Sequence, residues 1–159
     1  MATLPQLLEE DARTFDDALR EFLVQTSATA ALIVDKGGFM ITSQGDAGDA
    51  DLTTLAALAS GAFMASQTIA GLVGEKNFHN TYQQGEKLSV FVSEIDVHCL
   101  LIVLFKSSAG AGLVKYYSAN CASIVARQLV EAKVRNPDNG FDLSVLNVAQ
   151  PQELFRKKI

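Results

Sequence analysis

The chain has 159 residues, a length that fits one domain with a sizeable core and makes two complete domains unusual. With 48% hydrophobic, 19% charged and 8% aromatic residues, its composition is that of an ordinary globular protein. A formal charge of -5 argues against a nucleic-acid partner, which needs a basic surface to displace counterions; the one basic cluster, Arg156-Lys157-Lys158, is too short to supply it.

The chain opens on a helical pattern. Leu4, Leu8, Ala12, Phe15, Leu19, Phe22 and Leu23 recur at steps of three and four, with Glu9, Glu10, Asp16, Asp17 and Arg20 between them. After Thr26-Ser27-Ala28-Thr29, the run Ala30 to Val34 reads as a strand, Asp35 to Gly38 as a turn and Phe39 to Gln44 as a second strand. The loop Gly45-Asp46-Ala47-Gly48-Asp49-Ala50-Asp51 ends on a good N-cap. A second helix is expected from Leu52 to Val73, closed by Gly74 as its C-terminal cap.

That second helix carries no charged residue between Leu52 and Gly74. One stripe, Leu55, Leu58, Ala59, Ala62, Ser66, Ile69 and Val73, is expected to face the core. A second stripe, Ala57, Ser60, Gly61, Met64, Thr68 and Gly71, is small and uncharged. A helix with one side in water normally shows charge there, so both sides are expected to be covered, in part by another chain.

Further on, Asn77 to Gln83 reads as a polar, edge-type strand, followed by strands Leu88 to Glu94 and Cys99 to Phe105. The short turns between them force antiparallel hairpins. A third helix is expected over Leu113 to Val134, ended by Asn136-Pro137. The predicted fold is therefore α/β of the α+β kind: five antiparallel strands with helices on both faces, in the order α-β-β-α-β-β-β-α. Residues 1–135 form the single domain; residues 136–159, with Phe141, Leu143, Val145, Leu146, Leu154 and Phe155 among polar neighbours, are expected to be a C-terminal tail, docked or mobile.

Candidate chemistry is thin. Gly71-Leu72-Val73-Gly74-Glu75-Lys76 has neither the spacing nor the order of a phosphate-binding loop, and it ends a helix. Gly110-Ala111-Gly112 opens a helix but follows a strand of an antiparallel meander, not a βαβ unit. Asp35-Lys36-Gly37-Gly38 precedes a strand, so no helix end is there to hold an anion. His79, His98, Cys99 and Cys121 lack metal-ligand spacing, and Asp46, Asp49 and Asp51 lack the pattern of a calcium loop. No serine sits in a nucleophile elbow. No cofactor, metal or catalytic residue is predicted.

The two cysteines are expected to be buried free thiols, which suggests cytoplasm. No basic, apolar leader is seen at Met1-Ala2-Thr3-Leu4-Pro5. No apolar run is expected to approach the ~18 residues that span a bilayer, so no membrane partner is predicted.

Several stretches together resemble the roadblock/dynein light chain domain family and its MglB-type bacterial regulators. They are Leu32-Ile33-Val34-Asp35-Lys36-Gly37-Gly38-Phe39, Leu72-Val73-Gly74-Glu75, Gln84-Gly85-Glu86-Lys87 and Leu101-Ile102-Val103-Leu104-Phe105, in family order across roughly Ala30 to Val134. The resemblance implies a roadblock/longin-like fold and a homodimer whose sheets join edge to edge and whose second helices pair. It also implies a non-enzymatic regulator of a small Ras-like GTPase of the MglA type, acting indirectly and without an arginine finger. By position, the docking stripe would comprise Ala57, Ser60, Gly61, Met64, Thr68 and Gly71, although family members often have alanine where Met64 and Thr68 stand here. Two other readings stay open: a dimeric scaffold adaptor in a motor, polarity or signalling complex, and, more distantly, a sensor using His79, His98 or Cys99.

Overall fold

A computed structural model of the chain describes residues 4–135. The order is α1 (Glu9–Thr26), β1 (Ala30–Asp35), β2 (Met40–Gly45), α2 (Leu52–Leu72), β3 (Asn80–Gln83), β4 (Leu88–Glu94), β5 (Cys99–Lys106), a 3-10 turn (Ser107–Ala109) and α3 (Gly112–Arg135). This is the element order predicted from the sequence. The expected tail, with Phe141, Leu143, Val145, Leu146, Leu154 and Phe155, lies outside the described residues.

All five strands join one antiparallel sheet in the order β2-β1-β5-β4-β3. The central strands β1 and β5 are buried over almost their whole length. Both their faces are covered, which is why they read as unbroken apolar runs instead of alternating ones. Ala31, Ile33, Phe91, Leu101, Val103 and Phe105 face α1 and α3. Leu32, Val34, Val92, Leu100 and Ile102 face α2, the lone helix on the other side.

The first helix begins later than its apolar spacing suggests. Leu4 and Leu7 are buried, but ahead of the helix. The Asp11 carboxylate accepts the Leu8 amide at 2.7 Å, fixing the start at Glu9, and Glu9, Glu10 and Asp11 put negative charge on the positive end of the helix dipole. Asp11 also binds Gln128 at 2.7 Å and Arg135 at 2.5 Å, although it is fully buried. One carboxylate thus starts α1 and clamps it to the last two turns of α3.

The Asp35–Gly38 segment is a turn, as expected. Asp35 Oδ1 accepts the Gly37 amide at 2.6 Å and the Asp35 carbonyl accepts the Gly38 amide at 2.8 Å. Gly38 sits at φ +100°, a conformation that side chains disfavour. Just beyond, pairing passes from Val34↔Met40 to Ile33↔Thr42. The extra residue, Ile41, turns fully into the core as a β-bulge.

β3 is an edge strand, as predicted, but starts at Asn80 instead of Asn77. The Gln67 side chain takes both backbone groups of Phe78, donating to its carbonyl at 2.8 Å and accepting its amide at 3.1 Å. That backbone is therefore bound to α2 and does not pair with β4. A second long-range tie is the Lys36–Glu94 ion pair at 2.7 Å, which joins the β1–β2 turn to the end of β4.

Candidate functional site

The second helix is fixed at both ends by local chemistry. Asp51 caps it, accepting the Thr54 amide at 3.0 Å and the Thr54 hydroxyl at 2.6 Å. The Thr54 hydroxyl, followed by its amide, lowers the Asp51 pKa below its ordinary value. At the other end Gly74 takes φ +84°, and the Glu75 amide reaches back to the Ala70 carbonyl at 2.9 Å.

The sheet side of α2 is Ala56, Ala59, Ser60, Phe63 and Ala70. This corrects the expected core stripe. Of its members Ala59 is buried and Leu55 and Ser66 are half-buried, whereas Leu58 is 69% exposed and Ile69 and Val73 are also exposed. Helix phase is set by contrast between polar and apolar sides, and this helix has no charge to supply it. Phe63, the one aromatic on the helix, fills the sheet side with alanines around it.

Of the six predicted docking residues, Ala57, Gly61, Met64, Thr68 and Gly71 are exposed. Ser60 is not: it is 1% exposed on the sheet side, with no hydrogen-bond partner for its hydroxyl among the described residues. The exposed surface is wider than that stripe, because Leu58, Ala62, Ala65, Ile69 and Leu72 belong to it. Sequence reading placed Leu58, Ala62 and Ile69 in the core; the missing signal was the phase set by Phe63.

A Cβ added at Gly61 or at Gly71 would meet nothing within 4 Å. Neither glycine has a positive φ. Each costs a helix interior about 1 kcal/mol relative to alanine, with no return from packing among the described residues. What the pair provides is two places where another backbone can come close to α2.

By length and composition α2 could also cross a membrane, with a mean hydropathy of 1.4 over its most apolar window. This corrects the expectation that no segment approaches that threshold. Serines, threonines and glycines interrupt the apolar run without lowering its mean enough. Yet Ala56, Ala59 and Phe63 pack on the sheet and Gln67 grips Phe78, so one side of the helix is already occupied by its own domain. The other side is an apolar surface without cover among the described residues.

The remaining candidate groups do not converge. His79 is exposed ahead of β3, whereas His98 is buried in the β4–β5 turn, its amide held by Asp96 Oδ1 at 2.8 Å. Among the described residues no three His, Cys, Asp or Glu side chains are arranged to hold a metal. Cys99 and Cys121 are buried free thiols in the layer under α1 and α3. Desolvation pushes Cys121 up to about 12 and Cys99 well above its ordinary value, so both are protonated and poor nucleophiles. The most extensive candidate surface among the described residues is the exposed, uncharged outer face of α2.

A five-stranded antiparallel sheet carrying two helices on one face and one on the other, in this order, is the roadblock/longin-like fold. The Roadblock/LC7 domain family model matches residues 14–105, and the chain belongs to that family. Among solved structures it is similar to an MglB with a tetrameric arrangement, with 30% identity, a TM-score of 0.77, and coverage of 83% of this chain and 99% of that one. It is likewise similar to the gliding protein MglB from Thermus thermophilus, at 30% identity, TM-score 0.75, and 82% and 99% coverage. MglB from Myxococcus xanthus follows at 25% identity, TM-score 0.73, and 79% and 95% coverage. Comparison with curated protein sequences gives no match.

Proposed function

We propose that the protein is a dimeric, non-catalytic regulator of a small Ras-like GTPase of the MglA type, working in cell polarity or gliding motility. The observation that carries this reading is the outer face of α2: exposed, uncharged, and set with two glycines that packing among the described residues does not require. Two copies joined along this helix bury part of that surface and present the remainder as one composite platform. The likeness to MglB structures, one of them in a tetrameric arrangement, supports assembly of more than one copy.

Activation on this reading is indirect. The helix offers no lysine or arginine between Leu52 and Gly74, so the docking face has no cation to insert into a nucleotide site. Such a face can only reposition the GTPase's own catalytic groups, by binding one of their arrangements more tightly than the other. Light scattering on the protein alone and mixed with a GTP-loaded MglA-type GTPase tests the assembly. A dimer that takes up the GTPase is expected; a monomer that ignores it contradicts the reading. Uptake without faster hydrolysis would instead make the protein a scaffold adaptor.

A further inference from the structure

On the opposite side of the sheet from α2, α3 packs over β4 and β5, and its flank toward β3 opens as a cleft of about 400 Å³. The apolar part is Phe91 and Ile95 from the sheet side and Ala119, Ala122 and Ala126 from α3. Those alanines recur every three or four residues along one line of the helix, and their short side chains leave the gap unfilled. Phe91 and Ser93 stand two apart on β4 and share a face, and Asn80 is the cross-strand neighbour of Ser93.

The polar groups around the cleft are unequally committed. Glu94 is neutralised by Lys36 at 2.7 Å. Lys115, in contrast, has no carboxylate partner among the described residues, and the hydroxyls of Ser93 and Ser123 make no hydrogen bond among them. Lys115 also stands in the first turn of α3, where the helix dipole is positive and no acidic residue offsets it. A pocket of this size, with an apolar floor and a few polar groups around a cation that has no carboxylate partner among the described residues, has the make-up of a small-molecule site.

We propose that this cleft binds a small organic anion with a flat apolar body, such as an aromatic carboxylate, sulfonate or phosphate ester. Its ring would lie along Ala119 and Ala126 of α3 and beside Ile95, with Phe91 closing the bottom of the cleft from the core. Its charge would meet Lys115, and the two serines would supply further hydrogen bonds. The site is separate from the outer face of α2, so it stands or falls independently of GTPase regulation.

The test uses the full chain and anilinonaphthalene sulfonate as probe, followed by backbone-amide shift mapping and a binding titration. Perturbations are expected on β3, β4 and the first half of α3, with affinity falling as salt rises. Lys115→Gln should weaken binding about tenfold by removing a charged hydrogen bond. Ala119→Leu, at an exposed position where the fold tolerates bulk, should weaken it by a similar factor by filling the cleft. Val24→Gln, at a position 83% exposed on α1 and outside both the cleft and α2, should leave affinity unchanged. No saturable binding at millimolar probe, perturbations confined to α2, or unchanged affinity in both cleft variants would overturn the proposal.

Discussion

Gly38 lies directly against the backbone of Ala57: a Cβ built on Gly38 would stand 3.1 Å from the Ala57 Cα. The turn between the first two strands is thus a seat for the start of α2, the helix whose outer face carries the proposed function. A side chain at Gly38 must both adopt φ +100° and push that helix away. Gly38→Val should therefore cost about 1–3 kcal/mol or more in chemical denaturation. At Gly37 the added atoms meet side chains, the Asp35 carboxylate at 2.6 Å and Phe39 at 3.8 Å, and no helix backbone, so Gly37→Val should cost less, about 1 kcal/mol. Equal losses from the two variants would contradict this account of the turn.

Phe63 and Met64 are neighbours with opposite assignments. Phe63 is fully buried against the sheet and Met64 is exposed. Phe63→Ala should destabilise the fold by about 3–5 kcal/mol. Met64→Arg should change stability by no more than about 0.5 kcal/mol while weakening self-association and GTPase uptake. Thermal unfolding and light scattering on both variants separate the two effects. A Met64→Arg protein that assembles as before would move the interface elsewhere.

The Asp11 clamp makes a third prediction. Removing Arg135 leaves a buried carboxylate with only Gln128 and the Leu8 amide, so Arg135→Ala should cost about 1–3 kcal/mol. Hydrogen exchange should speed up at both the start of α1 and the end of α3, because one residue serves both. Faster exchange confined to α3 would show that the clamp does not couple them.

The buried thiols predict a loss of stability in alkali. Their pKa values are higher in the folded protein than the ordinary 9.0, so the unfolded chain releases these protons first. Stability is full below about pH 9 and falls as pH rises from there toward about 12, by at most about 1.4 kcal/mol per pH unit for each thiol. Cys121→Ala should flatten that decline in urea titrations run across this range. Native-state alkylation of either cysteine should be slow and limited by opening of the fold.

How far the sequence discloses this molecule depends on contrast. β1 and β5 are legible because their runs are long and bounded by turn residues, and the Asp51 and Gly74 caps because each has one local job. The phase of α2 is not, since a helix without charge gives periodicity nothing to lock onto; Leu58 and Ile69 look like core and are surface. Nothing in the local spacing singles out Asp11, yet it is fully buried and bound by partners more than a hundred positions away. Gln67 is similar, a polar side chain whose role depends on Phe78 folding back beside it. Of the stripe proposed for docking, five positions lie on the exposed side, and Ser60 turns inward because it shares the face of Phe63.

The most direct measurement is single-turnover GTP hydrolysis by an MglA-type GTPase, with and without the protein, run in parallel with Met64→Arg. The account predicts a rate that rises with the protein and saturates at a defined ratio, and a rise that Met64→Arg abolishes while the variant remains folded. An unchanged rate under conditions where the two proteins form a complex would contradict it.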